Sequence, residues 1–117
     1  MKPADVAKLA AQTIDSKKGE DIRVVDVRKI SPITDYIVIA SATSAPHLKG
    51  LQSEIAKVLR EKAKEDFKRE AGDPASAWLV MDYFNVIIHL FLPEARQYYD
   101  IEELWAKGRS VKWHVEN

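Results

Sequence analysis

The sequence has no cysteine, no excess of charge of either sign and no long apolar run. The lack of cysteine excludes disulfide bonds, thiolate metal sites and a cysteine nucleophile. Its 18 basic and 18 acidic residues argue against a sequence-independent grip on a phosphate backbone, which needs a net or clustered positive field. No stretch approaches the ~18 apolar residues of a membrane span, and the first residues do not resemble a signal or transit peptide. At 117 residues, the chain is expected to form one cytoplasmic domain.

Residues that carry chemistry are also sparse. The four glycines are isolated, so no phosphate-binding loop, dinucleotide loop or serine elbow occurs. The three histidines lie far apart and outside any HExxH or HxH pattern, which predicts no metal site. Asp82 and His89 both occur in DYFNVIIHLF, but a catalytic pair would also need a nucleophile or water and an oxyanion site. We therefore expect a structural histidine, no catalytic residue and no cofactor.

Apolar spacing and chain-breaking residues predict the order αββαββα. Helical periodicity indicates one helix over about 3–18 and a second, capped by Ser44, from 45 to about 66. Runs of β-branched residues indicate strands at 21–27 and 35–41. The stretch AGDPAS is expected to break the chain. The later elements are predicted to be a hairpin of strands 77–82 and 85–91 about a turn at 83–85, then a short helix over 93–105.

This order is typical of an α/β or α+β domain, in which helices flank a mixed β-sheet. We expect that domain to span 1–106, with 107–117 as a flexible tail. Within it, His47 should hold the loop before the second helix. Large aromatic residues are expected to pin the last helix to the sheet, namely Tyr98, Tyr99 and Trp105.

Three stretches in order resemble the ribosomal silencing factor family, also called the RsfS or Iojap family. They are ISPITDYIVIASATSAPHLKGL, AWLVMDYFNVIIHLF and RQYYDIEELW. The resemblance implies a nucleotidyltransferase-like fold without the catalytic signature of that superfamily. It also implies a translational repressor that binds the large ribosomal subunit through large-subunit ribosomal protein fourteen and sterically blocks the small subunit. Minor contacts with ribosomal RNA and a homodimer of the free protein are left open.

The candidate partner-binding surface lies at the hairpin. Trp78, Val80 and Asp82 alternate onto one face of their strand, and tryptophan is enriched among interface hot spots. A core position for Trp78 is the alternative, and the resemblance favours the interface. The segment EARQYYDIEEL has four acids against one base, which would complement a basic ribosomal protein or form an ordinary solvated helix. The full predicted set is Trp78, Val80, Asp82, Tyr83, Asn85, Arg96 and Tyr99.

The turn departs from the family pattern, which has Gly-Asp where this chain has Phe84 and Asn85. If the glycine of the family serves a left-handed backbone, Phe84 costs about 1–2 kcal/mol there or forces another turn type. The replacement of an acid by Asn85 also removes one charge that could meet a basic partner.

Two alternative functions remain. A divergent nucleotidyltransferase would use Asp26, Asp35 and Asp82 as metal-binding carboxylates, although the superfamily motif is missing. An RNA-binding module would use the bases of 57–69 together with Lys107, Arg109 and Lys112. Acidic residues alternate with the bases of 57–69, which favours a solvated helix face over a nucleic-acid-binding patch.

Overall fold

The structure, a computed structural model, describes residues 1–73, 75 and 77–114. Two long helices and a six-stranded sheet make up most of it. No described helix has the length and apolar character needed to cross a membrane. In chain order the elements are α1 (Pro3–Ser16), β1 (Glu20–Asp26), β2 (Tyr36–Ser41), α2 (Ala45–Ala63), β3 (Arg69–Asp73), β4 (Trp78–Asp82), β5 (Val86–Phe91), α3 (Pro93–Tyr99), α4 (Ile101–Leu104) and β6 (Arg109–Ser110).

The sheet is mixed, as predicted. Its strand order is β3-β4-β5-β2-β1-β6. The central pair β2–β5 is parallel, from Tyr36 opposite Val86 to Ser41 opposite Phe91, and the other pairs are antiparallel. Every residue of β2 is buried, because helices cover this part of the sheet on both faces.

The two faces of the sheet are covered unequally. The long helices α1 and α2 cover the first face, and the larger hydrophobic cluster lies beneath them. The short helices α3 and α4 cover part of the second face, over a smaller cluster that includes Ile37, Ile39 and Phe91. Since α3 and α4 together are much shorter than α1 and α2, part of the second face has no helix over it.

Hydrogen bonds of Ser44 and His47 fix the start of α2, as the sequence predicted. The Ser44 hydroxyl accepts from the backbone N–H of His47 at 3.2 Å and so caps the helix. The His47 ring accepts from Thr43 N at 2.9 Å and donates through Nε2 to the Lys17 carbonyl at 2.8 Å. This ring therefore joins the end of α1 to the loop that precedes α2.

Strand β3 was not predicted. The sequence analysis extended the second helix to about residue 66, but α2 ends at Ala63 and Lys64 adopts a left-handed conformation. The segment Arg69–Asp73, which follows the predicted helix and runs into the expected chain break, pairs antiparallel with β4. Its residues have low strand propensity, and the backbone hydrogen bonds of an edge position override that preference. Within AGDPAS, Pro74 and Ser76 lie outside the described residues.

The C-terminal region also differs from the prediction. The expected single helix is divided at Asp100, whose φ is 46°, into α3 and α4. Residues 107–114 do not fit the predicted flexible tail, because β6 pairs with β1 and Trp113 is only 8% exposed in the main core. The ordered domain therefore continues beyond residue 106, and residues 115–117 are outside the described part.

The hairpin turn has the left-handed backbone considered above. Phe84 has a φ of 76° and its side chain is 68% exposed. The turn is closed by Tyr83 N donating to Val86 O at 2.9 Å, and Asp82 Oδ1 accepts from Phe84 N at 2.8 Å. These hydrogen bonds hold a large side chain in a conformation that favours glycine.

Phe84→Gly is expected to have a free energy of unfolding about 1 kcal/mol higher than that of Phe84→Ala. Both variants lose the exposed ring, but only glycine removes the Cβ that disfavours positive φ. Urea unfolding of the two variants measures the difference. Equal stabilities would show that the left-handed conformation imposes no cost at this turn.

Candidate interaction surface

Strand β4 has two different faces, as its alternation predicted. Leu79 and Met81 are fully buried beneath the long helices, whereas Trp78, Val80 and Asp82 are half-buried on the second face of the sheet. The register places Val80 opposite His89 and Asp82 opposite Ile87 on β5. The three predicted residues therefore do share one surface.

Exposed apolar side chains extend this surface at the turn and in the β1–β2 loop. A groove of about 410 Å³ is lined by Pro32, Ile33, Asp82, Phe84 and Ile87. Ile33 and Phe84 are each 68% exposed, which is unusual for large apolar residues that lie beside one another. We define the open face as these five residues together with Trp78, Val80 and Tyr99.

Trp78 is held in place by neighbouring rings, and its side chain is half-buried. Its indole stacks on Phe91 with ring centroids 5.2 Å apart, and Tyr99 lies at 4.8 Å. The indole N–H donates to His89 Nδ1 at 3.2 Å. The side chain thus combines a fixed orientation with a partly accessible ring, as an interface anchor requires.

His89 is a structural residue in this geometry. It is 7% exposed, and burial lowers the pKa of its imidazole to about 4. The neutral ring keeps a lone pair on Nδ1 to accept the bond from Trp78. Asp82 Oδ1 accepts a hydrogen bond from Phe84 N in the turn, whereas His89 accepts from the indole of Trp78.

Two predicted partner-binding residues have buried side chains. Tyr83 is 3% exposed and meets the Phe67 ring edge-on at 6.2 Å, within the core under the long helices. Arg96 is 8% exposed. Neither residue fits direct contact with a partner, because both side chains turn into the domain. Asn85 and Tyr99 are exposed, as a contact role requires.

The buried guanidinium of Arg96 joins three elements. Its Nη1 donates to Ser41 Oγ on β2 at 2.9 Å, and its Nε donates to Glu102 Oε1 on α4 at 2.8 Å. Arg23 of β1 reaches the other oxygen of Glu102 at 3.1 Å. The hydrogen bond from Arg96 lowers the pKa of the Glu102 carboxyl, more than burial raises it. Arg96 therefore positions α3 and α4 beside the open face.

Sequence reasoning missed part of the apolar surface, which includes exposed Ile33 and Phe84 and half-buried Ile87. Ile33, Phe84 and Ile87 were not predicted as contact residues, and Tyr98 was expected to pin the last helix but is 81% exposed. Trp105 does pack into the smaller core, as predicted. The sequence did contain a signal for Ile33 and Phe84. One follows Pro32 in a loop and the other lies in a turn, and neither position needs a large apolar residue for its local structure.

Two of the three carboxylates of the alternative enzyme, Asp26 and Asp82, form structural hydrogen bonds here. Asp26 forms a two-point pair with Arg28, at 2.7 and 3.0 Å, and this hydrogen bonding lowers the pKa of its carboxyl. Across the described part of the chain, no group of three or more histidine, aspartate or glutamate side chains could hold a metal ion. No geometry in these residues favours the nucleotidyltransferase alternative.

Several known proteins resemble the chain over most of its length. The family model described as ribosomal silencing factor during starvation matches residues 1–117. The ribosomal silencing factor RsfS of Bacillus subtilis is 32% identical over 105 residues, which cover 90% of this chain and 88% of that protein. A mouse protein named mitochondrial assembly of ribosomal large subunit protein 1 is 36% identical over 91 residues, covering 76% of this chain and 40% of that protein.

Solved structures agree with the fold. A crystal structure of a Chromobacterium violaceum protein superposes with a TM-score of 0.86 at 30% identity, covering 99% of this chain and 95% of that one. A Bacillus halodurans crystal structure gives a TM-score of 0.78 at 28% identity, with 92% and 97% covered. The predicted α+β domain with a mixed sheet is confirmed.

Arg96→Met is expected to lower the free energy of unfolding by about 2–4 kcal/mol, because Glu102 and Ser41 lose a buried charged donor. Arg23→Met is the matched control, since Arg23 meets the same carboxylate from a side chain that is 65% exposed. That variant should lose at most about 1 kcal/mol. Denaturant unfolding compares them. Equal losses would contradict the positioning role of Arg96.

Proposed function

The chain belongs to the ribosomal silencing factor family, and we propose that it represses translation in the cytoplasm by binding the large ribosomal subunit. The proposed contact is large-subunit ribosomal protein fourteen, and the bound protein blocks association with the small subunit. Family membership supports a regulator associated with the ribosome. The open face supports recognition of a protein surface.

The open face is the observation that carries this proposal. It places half-buried Trp78 and Val80 beside exposed Ile33 and Phe84 on a sheet that the long helices support from behind. Interfaces of this kind have a rigid aromatic anchor with apolar and polar groups around it. The groove beside Ile33 is concave and could accommodate one side chain of the partner.

Charge beside the open face supports a basic partner. Glu94, Asp100 and Glu103 are exposed on or next to α3 and α4. Glu102 is engaged by Arg23 and Arg96 and adds little to the field. Acidic groups on the α3–α4 side of an apolar surface speed encounter with a basic ribosomal protein and disfavour acidic partners on that side.

Steric exclusion would suffice for repression. The domain measures 32 × 32 × 31 Å, whereas subunits that join must come within a few ångströms of one another. A standard interface covers about 800 Å² on each partner. That is a modest part of the 7109 Å² that this domain exposes. A bound copy would therefore occupy the joining surface while most of its own surface projected outward.

Ile33→Asp is expected to weaken binding to isolated large subunits by at least about thirtyfold, since it places a charge in the groove of the open face. The control is Ser53→Asp, which adds the same charge at an exposed position of α2, behind the sheet. Co-sedimentation gives the affinities, and light scattering follows joining of purified subunits. Both assays should distinguish the two variants.

Trp78→Ala tests the anchor on the same assays. We expect at least about thirtyfold weaker binding, with thermal unfolding of the variant measured in parallel. Binding retained by the folded fraction would assign Trp78 to the core alone. Unimpeded subunit joining at saturating wild-type protein, or equal binding to small subunits, would contradict the proposed function itself.

A further inference from the structure

A second concave site lies at the other edge of the sheet and is strongly basic. It is a cleft of about 330 Å³ between the β1–β2 loop and the turn that leads into β6. Four of its lining residues are basic and one is acidic, in a chain with no net charge. The lining residues are Asp26, Arg28, Lys29, Ile30, Lys107, Gly108 and Arg109.

Gly108 fixes two of these cations against the sheet. A Cβ at this position would overlap the Val25 side chain and lie 3.0 Å from the Asp26 carbonyl oxygen, so glycine lets the backbone approach β1 without a shift of these neighbours. Arg109 pairs with Asp26 in the β1–β6 ladder. Lys107 and Arg109 therefore project from a backbone held closely on a strand.

The positive charge of the cleft is mostly uncompensated. The Asp26 carboxylate orients Arg28 through its two-point contact and also attracts Arg109, but it is one acid among four bases. Among the residues that the structure describes, Lys29, Lys107 and Arg109 form no ion pair. Several cations around one concavity concentrate a positive potential that attracts an anion.

The chemistry of the lining distinguishes between anions. Arginine forks and lysine ammonium groups match phosphate oxygens. No aromatic residue lines the cleft, so it offers no platform for stacking a base. These features fit a sugar-phosphate backbone better than a free nucleotide, whose base would need its own contacts.

We propose that this cleft binds phosphate groups of an RNA backbone. The inference rests on the proposed function for the source of that RNA, which is the ribosomal RNA of the large subunit. The β1–β2 loop links the two sites, since Ile30 lines the cleft and Ile33 lines the groove of the open face. A single docking event would thus engage protein at one end of the loop and RNA at the other.

The structure separates the two basic segments that the sequence analysis considered together. The bases of α2 alternate with acids on the opposite layer, and Arg60 pairs with Asp66 at 2.7 Å. Lys107 and Arg109 instead join Arg28 and Lys29 at one site. The pairing of β6 with β1 brings these basic residues together, although the chain as a whole has no net charge.

The test is charge reversal in the cleft, with Lys107→Glu/Arg109→Glu compared with Lys49→Glu/Lys57→Glu. The control pair makes the same change in net charge at exposed positions of α2. Full-length proteins are titrated with a fluorescent eight-nucleotide single-stranded RNA at several salt concentrations. Wild type and control should bind with a clear salt dependence. The cleft variant should bind at least about tenfold more weakly, with a salt slope shallower by about 1.4.

Lys29→Glu provides a second variant outside any strand, in case the double change disturbs β6. It should weaken RNA binding in the same direction. Cleft variants that match the control would overturn the proposal. So would ATP binding more tightly than the RNA, or an acidic peptide of equal charge competing as well as the RNA.

The same variants separate this inference from the proposed function. If wild type binds large subunits and the cleft variants bind them as the control does at every salt concentration, the cleft proposal fails and the proposed function stands. If wild type binds the RNA through the cleft but does not bind large subunits, the proposed function fails and the phosphate site stands.

Discussion

The buried guanidinium of Arg96 determines how the second face of the sheet is covered. It ties α3 to Ser41 on β2 and to Glu102 on α4, with both hydrogen bonds shorter than 3 Å. A charged group at this depth is stable only when its donors are satisfied, so the helices have one favoured position. That position places Tyr99 on Trp78 and leaves the surface around Val80 and Ile87 without a helix.

The open face follows from this unequal coverage. The long helices supply a core that stabilises the sheet from one side, so the other side does not need complete burial. Trp78 is then held by Phe91, His89 and Tyr99 while part of its ring stays accessible. A surface supported in this way loses little side-chain entropy on binding, which favours affinity from a modest contact area.

Much of the fold could be predicted from the sequence, because its signals are local. The β-branched runs of β2 and β5 and the Ser44 cap each depend on neighbouring residues. Strand β6 and the burial of Trp113 could not be predicted, since a polar segment gains order only from pairing with β1 and packing on the core.

The candidate surface was predicted in part for the same reason. Alternation along β4 identified Trp78, Val80 and Asp82, because strand geometry alone separates its two faces. The burial of Arg96 depends on Ser41, 55 positions away, and that of Tyr83 on Phe67, which precedes the neighbouring strand β3. No local pattern distinguishes such an arginine or tyrosine from an exposed one.

Hydroxyl-radical footprinting with isolated large subunits tests the central claim most directly. Phe84 and Tyr99, which are 68% and 49% exposed in the free protein, report on the open face, and exposed His114 reports on the side of α1. The account predicts that saturating large subunits protect Phe84 and Tyr99 from oxidation several-fold while His114 keeps its rate. Protection of His114 with unchanged oxidation of Phe84 and Tyr99 would contradict it.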